Sequence, residues 1–373
     1  VLFDELLDAH NWYQPLTRNA LQQTLAVALA NIPEDDLERA MMVMRQFKHS
    51  QTLRVAAADC LDMIEVMVVS DYLTLIAEVI LDHALRWCWR LLTLKHGAPP
   101  DTDAEHNGFA ILGFGKLGGL ELSYGSDLDL VFIYQGDNHA QTDGDKPVSV
   151  AQFYGRLGQR VMHMLNTQLL SGLLYEVDTR LRPSGNAGLL VSPIQGYQSY
   201  LEHQAWTYEH QALTRARCIA GDARLSQALT ALRHDVLCRS RQPDTLRQDV
   251  KAMRRKMRSH LTPKSKQQFH LKHSLGGIAD IEFIVQFLLL RWAHQHPDLI
   301  TCSDNIRQLQ ALAEHGIIST EDACFLQESY RLYRDLGHHL VLQGLDTQVS
   351  GKQFREQRLG VIRIWRKILH ANA

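Results

Sequence analysis

Asp127 and Asp129 flank a leucine and run directly into the apolar segment Leu128–Tyr134. In a strand, residues i and i+2 share a face, so both carboxylates would project to one side while Leu128, Leu130 and Phe132 pack on the other. Two neighbouring carboxylates repel each other and are costly without a cation. Mg²⁺ is hard, prefers oxygen ligands and is commonly shared between protein carboxylates and substrate phosphates. A phosphate cradle is spelled just upstream: Gly113, Gly115, Gly118 and Gly119 surround Lys116, and Ser126 precedes the first aspartate. Glycines there let backbone N–H groups, those of Gly118 and Gly119 above all, approach a phosphate closely. Glycine turn, acid pair and strand in that order suit an enzyme that moves a nucleotide rather than one that only holds it. Taken alone, the acid pair would read as an Asx turn with a solvated strand end, and the glycines as a tight turn.

Leu173 to Asp178 supplies a third acid on what reads as another strand. By the period of two, Glu176, Asp178, Arg180 and Arg182 share a polar face, while Tyr175, Val177 and Leu181 take the other. Asp178 could complete a metal cage or accept a proton from a nucleophile. Arg180 and Arg182 could bind phosphate oxygens in a fork geometry; the alternative is a solvent-facing ion-pair ladder worth little energy.

The elements that must position these residues follow from periodicity. Gly113, Gly115 and Gly118 also spell GxGxxG, but a dinucleotide fold needs a long crossover helix before its next strand. Only about one and a half helical turns fit between Gly118 and Ser126 at 3.6 residues per turn, which disfavours that fold. Strands are expected at Phe109–Leu112, Leu128–Tyr134, Leu173–Asp178 and Gly188–Ser192, with a helix at Val150–Gln168. Helical patterns cover Asp36–Ala58 and Leu73–Leu94, the latter stopped by Gly97 and Pro99-Pro100. After Pro193 the chain reads as almost wholly helical, and Gly276-Gly277 opens Ile278–Leu290, apolar on most faces and so a buried bundle helix. The expected class is α+β, predominantly helical: an N-terminal helical segment (1–104), a catalytic domain with a small mixed sheet (105–222) and a C-terminal helical bundle (223–373).

The 373 residues suffice for two or three domains. They hold no apolar run long enough to cross a membrane. The six cysteines are scattered without a CxxC pair, which fits reduced thiols in a cytoplasm and no structural zinc. A net charge of −2 weakens a general nucleic-acid binder. The nineteen histidines lack ligand spacing and read as core or surface residues. The opening Val1-Leu2-Phe3-Asp4-Glu5-Leu6-Leu7 is already amphipathic and lacks Met, as expected of a piece of a longer protein. Lys251, Arg254, Arg255, Lys256, Arg258, Lys264 and Lys266 form the cationic back of an amphipathic helix with Met253, Met257 and Leu261. It is either a solvated face or a surface for a triphosphate or an acidic partner. Arg215 and Arg217, expected on a helix, could line the site or pair with Glu209 and Asp222.

The run Gly113–Leu130 resembles the signature of the glutamine synthetase adenylyltransferase family. Tyr175–Gly185 and Gly276–Phe283 are similar to two further family motifs, and the resemblance covers nearly the whole chain. It implies a DNA polymerase β-like nucleotidyltransferase domain, with two homologous halves in one long bifunctional chain. One half adds AMP from ATP to a tyrosine of glutamine synthetase. The other removes it by phosphorolysis, under control of glutamine and the PII signalling protein. Asp4–Asp8, Tyr13-Gln14-Pro15, Gln46-Phe47-Lys48, Arg54–Asp59 and Trp206–Leu213 look like the carboxyl, adenylylating half. Gly125 stands where the family pattern has serine, and Phe114 where it has tyrosine. The resemblance implies two Mg²⁺ ions, with Mn²⁺ as an alternative, on Asp127, Asp129 and Asp178. It also implies triphosphate contacts from Gly115, Lys116, Gly118, Gly119, Ser126, Arg180 and Arg182. The removing half and an RNA-directed nucleotidyltransferase are the alternatives; neither nucleic acid nor a membrane is an expected partner.

Overall fold

The computed structural model describes residues 16–261 and 268–370. The opening motifs up to Pro15, and Lys264 and Lys266 of the basic run, lie outside the described residues. The described part of Val1–Gln204 with Ala216–Leu232 forms one compact unit, and Ala205–Arg215 with the described part of Arg233–Ala373 forms another.

The first unit begins with helices α1 (Arg18–Leu29), α2 (Leu37–Cys60) and α3 (Val66–His96). Asp36 starts α2 by accepting the Arg39 N–H, a carboxylate cap that satisfies a first-turn donor. Strand β1 (Phe109–Gly113) leads through a one-turn helix α4 (Gly115–Gly118) to β2 (Leu128–Tyr134). There follow α5 (Val150–Asn166), β3 (Val177–Asp178), β4 (Val191–Pro193), α6 (Ile194–His203) and, beyond helix α7 (Thr207–Leu213), β5 (Arg217–Gly221) and helix α8 (Ala223–Leu237). The sheet is mixed. β2 is antiparallel to β1 and parallel to both β3 and β4, and β5 closes the far edge antiparallel to β1. Helix α3 packs on α5 and β5, and α5 on β3 and β4. The core between them is aromatic: Trp89 meets Phe153 edge-on at 5.2 Å, and Tyr134 stacks on Tyr154 at 4.8 Å. Such pairs add about 0.5–1.5 kcal/mol beyond the area they bury.

Two expectations fail here for physical reasons. Leu173–Asp178 is not a strand throughout. Leu174 and Tyr175 are both buried, which a period of two forbids, and only Val177 and Asp178 join the ladder. Arg217–Gly221, expected to be helical, is a strand. A bulge in its pairing with β1 between Ile111 and Leu112 leaves consecutive Ile219 and Ala220 buried, so no alternation marks it in the sequence.

In the second unit, α10 (Ile278–Trp292) packs against α7, α9 (Pro243–Leu261), α11 (Asn305–Glu314), α12 (Thr320–Leu342) and α13 (Arg355–Leu369). Ala279–Leu290 is buried at every position but Glu282, as its all-round apolar pattern predicts. Strands β6 (Gln268–His270) and β7 (Gln348–Ser350) form an antiparallel ribbon. The cationic back of α9 is not wholly solvated: Arg254 is buried and faces inward with Leu246 and Val250, because a carboxylate waits for it. No helix among the described residues is long and apolar enough to cross a membrane.

Candidate active site

Strand β2 opens at Leu128, so Asp127 sits at its mouth and Asp129 is its second residue. The parallel register sets Leu128 beside Val177 and Asp129 beside Asp178. One carboxylate oxygen from each of Asp127, Asp129 and Asp178 lies within 4.8 Å of the others. Asp127 is exposed and the other two half-buried, so the cluster opens to solvent. Arg180 faces all three. Its Nε donates to both oxygens of Asp178, at 3.0 and 2.7 Å, and its backbone N–H adds a bond at 2.8 Å. Side-chain bonding from Arg180 holds the Asp178 carboxyl below its ordinary value, and partial burial opposes it. The hydrogen bonds to Asp178 first, then the charges of Asp178, Asp129 and Asp127, push the guanidinium up in turn. With Arg182 adding a weaker charge effect on Asp178, the three carboxylates still present an all-oxygen anionic donor set, the chemistry that suits a hard divalent cation.

The glycine turn borders this cluster differently from expectation. The Gly118 and Gly119 amides donate to the Phe114 and Gly115 carbonyls, at 2.9 and 3.1 Å, so they close the turn of α4 rather than pointing at a phosphate. Gly115 is needed for close approach: its φ is +54°, and a Cβ there would lie 2.2 Å from Asp129 Oδ2. Lys116 Nζ donates to Ser123 Oγ (2.8 Å) and Ser126 Oγ (3.1 Å), which ties the loop before Asp127. Arg182 braces its own turn, donating to the Thr179 carbonyl (3.0 Å) and hydroxyl and to the Gly188 carbonyl.

Several positioning contacts escaped the sequence reading. Arg217 donates to the Gly118 carbonyl (2.9 Å) and the Leu117 carbonyl (3.2 Å), and pairs with Glu78 of α3. Arg18 takes the other oxygen of Glu78 at 2.7 Å. The signal was a carboxylate, Glu78, alone among Ile76, Ala77, Val79 and Ile80; a charge embedded in an apolar helix face wants a partner. Tyr124 donates to Asp59 of α2 at 2.9 Å, in a buried contact. Burial and the Asp59 charge raise the phenol far above its ordinary value, so it stays a donor. Glu209 accepts the Trp206 N–H at the start of α7, and Asp222 accepts the Arg224 and Leu225 N–H groups.

Against known families, residues 1–232 match the model of glutamate-ammonia ligase adenylyltransferase. The chain belongs to the glutamate-ammonia ligase adenylyltransferase family. Residues 244–349 match the model of the GlnD PII-uridylyltransferase. Similar curated proteins are the bifunctional glutamine synthetase adenylyltransferase/adenylyl-removing enzymes of Nitrosococcus oceani (49% identical), Pseudomonas aeruginosa (47%) and Thioalkalivibrio sulfidiphilus (47%), each over 99% of this chain. The chain spans only 38–39% of their lengths.

The segment Gly276–Phe283 holds a second acid pair, Asp280 and Glu282, inside the second unit. Asp280 accepts from Arg254 Nε (2.6 Å), Arg258 (3.0 Å) and the Gly276 N–H (2.7 Å). Gly276 takes a φ of +80°, and a Cβ there would lie 2.6 Å from the Arg358 carbonyl. Glu282 pairs with Arg215 at 2.6 Å. Burial pushes the Glu282 carboxyl up, but Arg215, Lys272 and Arg334 outweigh it and the net direction is downward.

Proposed function

We propose that this chain transfers AMP from ATP to a tyrosine hydroxyl of glutamine synthetase, as the carboxyl, adenylylating half of a bifunctional enzyme. The observation that carries the reading is the convergence of Asp127, Asp129 and Asp178 within 4.8 Å, beside the Gly115–Ser126 turn. The family's printed name supports the substrate. The resemblance of Tyr124–Asp129 and Trp206–Leu213 to the transferase half supports the direction. On this reading the catalytic unit is a DNA polymerase β-like nucleotidyltransferase domain working in the cytoplasm, with glutamine and the PII protein as regulators.

Asp127, Asp129 and Asp178 would hold two Mg²⁺ or Mn²⁺ ions, whose chemistry is to neutralise phosphate charge and lower the pKa of a bound hydroxyl. Everything else falls to the chain. Gly115, Gly118 and Gly119 leave the triphosphate side of the cluster free of bulk. Lys116 orients the Ser126 hydroxyl toward it and adds positive charge. Arg180 and Arg182 flank the acids with guanidinium groups suited to phosphate oxygens. The tyrosine hydroxyl gives up its proton to solvent water, its oxygen bonds to the α-phosphorus, the bond to the bridging oxygen breaks in line, and pyrophosphate leaves. Asp178 orients the tyrosine hydroxyl rather than taking its proton outright. A phenol near pKa ~10 giving its proton to a carboxylate near ~3.9 is uphill by about 8 kcal/mol, and Arg180 holds Asp178 lower still.

The test is incubation with α-labelled ATP, Mg²⁺ and unmodified glutamine synthetase. Label on a synthetase tyrosine is the expected result. Phosphate-dependent loss of AMP from pre-modified synthetase, without transfer, would assign the removing activity instead. Label on RNA would overturn both.

A further inference from the structure

Strand β3 is two residues long, yet it must hold Asp178 beside Asp129. A slip of one residue would turn Asp178 to the opposite face, and so short a ladder cannot fix its own register. The segment feeding it is held instead from α2. Arg45, fully buried, donates to the Gly172 carbonyl at 2.9 Å, the Thr167 carbonyl and the Met41 carbonyl at 2.9 Å. One turn on, Lys48 Nζ donates to the Leu174 carbonyl at 2.5 Å and lies 4.1 Å from the centre of the Tyr175 ring. Among the described residues neither cation pairs with a carboxylate. Burying cations without an acid is costly, so apolar side chains would serve a merely structural contact better. What the cations supply is a directed grip on carbonyls. From Leu174 the chain runs through Glu176, whose carbonyl accepts the Leu128 N–H at 2.9 Å, to Asp178.

We propose that Lys48, backed by Arg45, is a positioning residue that sets the register of Asp178 against Asp129 and thereby the turnover of AMP transfer. The inference rests on Asp178 being part of the transfer site. Lys48 acts through the 172–176 backbone and touches no substrate. Burial, then the Arg45 charge, lowers its ammonium to about 8, in keeping with an unneutralised position.

The experiment compares Lys48→Met, Lys48→Gln and Lys48→Arg in the chain as it stands. It reads kcat and KM for ATP in AMP transfer, amide exchange across residues 174–178, and equilibrium Mn²⁺ binding without nucleotide. Lys48→Met and Lys48→Gln should lower kcat by roughly 10- to 100-fold, the scale of a 1 Å misplacement. KM for ATP should stay within about threefold, exchange at Val177 and Asp178 should speed up, and Mn²⁺ binding should weaken. Lys48→Arg, which keeps a donor and a cation over the ring, should recover most of the kcat. If Lys48→Met fails to fold, Lys48→Gln against Lys48→Arg carries the same comparison. Wild-type kcat and exchange in Lys48→Gln would overturn the proposal, as would an Arg variant no better than Gln. Asp178→Asn separates the two readings. If it is fully active, the site assignment fails; if it is inactive while the Lys48 variants are fully active, only the positioning role fails.

Discussion

Two acid pairs in this chain share a spelling. Asp127 and Asp129 follow Gly118-Gly119, Asp280 and Glu282 follow Gly276-Gly277, and in each pair one residue separates the acids. The first pair lies at the start of a strand, where a period of two brings the carboxylates together. There they meet Asp178 across a parallel ladder and remain open to solvent, with Arg180 the guanidinium facing all three. The second pair lies on a helix, where i and i+2 sit about 200° apart at 3.6 residues per turn. Each acid is therefore sent to a different partner: Asp280 to Arg254 and Arg258, Glu282 to Arg215. Spacing alone does not make a reactive site. The backbone period decides whether two carboxylates collect on one side of a shared cluster or are sent to separate buried partners.

The largest effect should come from breaking the first pair. Asp127→Asn or Asp129→Asn is expected to lower AMP transfer by more than about 10³-fold, the scale on which a lost transition-state electrostatic contact operates. The unfolding midpoint should hold or rise, because one like-charge repulsion disappears. Labelled-AMP transfer and calorimetry on the same samples check this; wild-type turnover in both variants would sink the assignment. Asp280→Asn should invert the result. With 0% side-chain exposure on Asp280 and 1% on Arg254, removing the charge strands a buried cation at a cost of about 3–5 kcal/mol. Denaturant unfolding of the chain should show that loss. A stable Asp280→Asn variant lacking activity would instead make the second pair chemical.

Between these extremes, Gly115→Ala probes whether the first cluster depends on placement as well as charge. The methyl would enter at 2.2 Å from Asp129 Oδ2 with φ at +54°, adding about 1–2 kcal/mol of backbone strain. The expected outcome is a small fall in the unfolding midpoint and a fall in kcat of about 100-fold, the scale of a 1 Å misplacement. An unchanged kcat would show that the Asp129 carboxylate tolerates displacement.

The sequence disclosed these clusters unevenly. The strand Leu128–Tyr134 was legible as a short continuous apolar run rich in β-branched and aromatic residues, buried at every position but Asp129, and Asp127 and Asp129 came with it. Asp178 was found through a strand that is mostly absent. The alternation from Leu173 is coincidental, and the segment is held by Arg45 and Lys48, more than 120 residues away in sequence. Local pattern cannot show such a clamp. The same holds for Arg217, which reaches Glu78 across 139 positions, and for the strand that carries it, whose bulge erases the period of two. The helices α3 and α10 were plain from their apolar content. The partners of their embedded acids, Glu78 and Glu282, were not, since a buried charge announces that it needs a counter-ion without saying which.

The smallest expected effect sharpens the comparison through pH. Glu282 is held below its ordinary value of 4.5, chiefly by Arg215 against the opposing effect of burial. A depressed carboxylate contributes stability that is fully present above pH 4.5 and fades as pH falls through its lower folded value. Glu282→Gln keeps an oxygen for Arg215 but removes the charge. It should therefore cost about 1.5–3 kcal/mol at neutral pH, the range for a hydrogen bond to a charged group. That gap to the parent chain should narrow as pH drops below 4.5, because protonation makes the two side chains alike. Unfolding midpoints of both proteins, measured from pH 7 down to about 3, give the difference directly. A gap that stays constant would mean that Glu282 acts through packing, and only Asp280 would then stand as the neutralised counterpart of the open acid cluster.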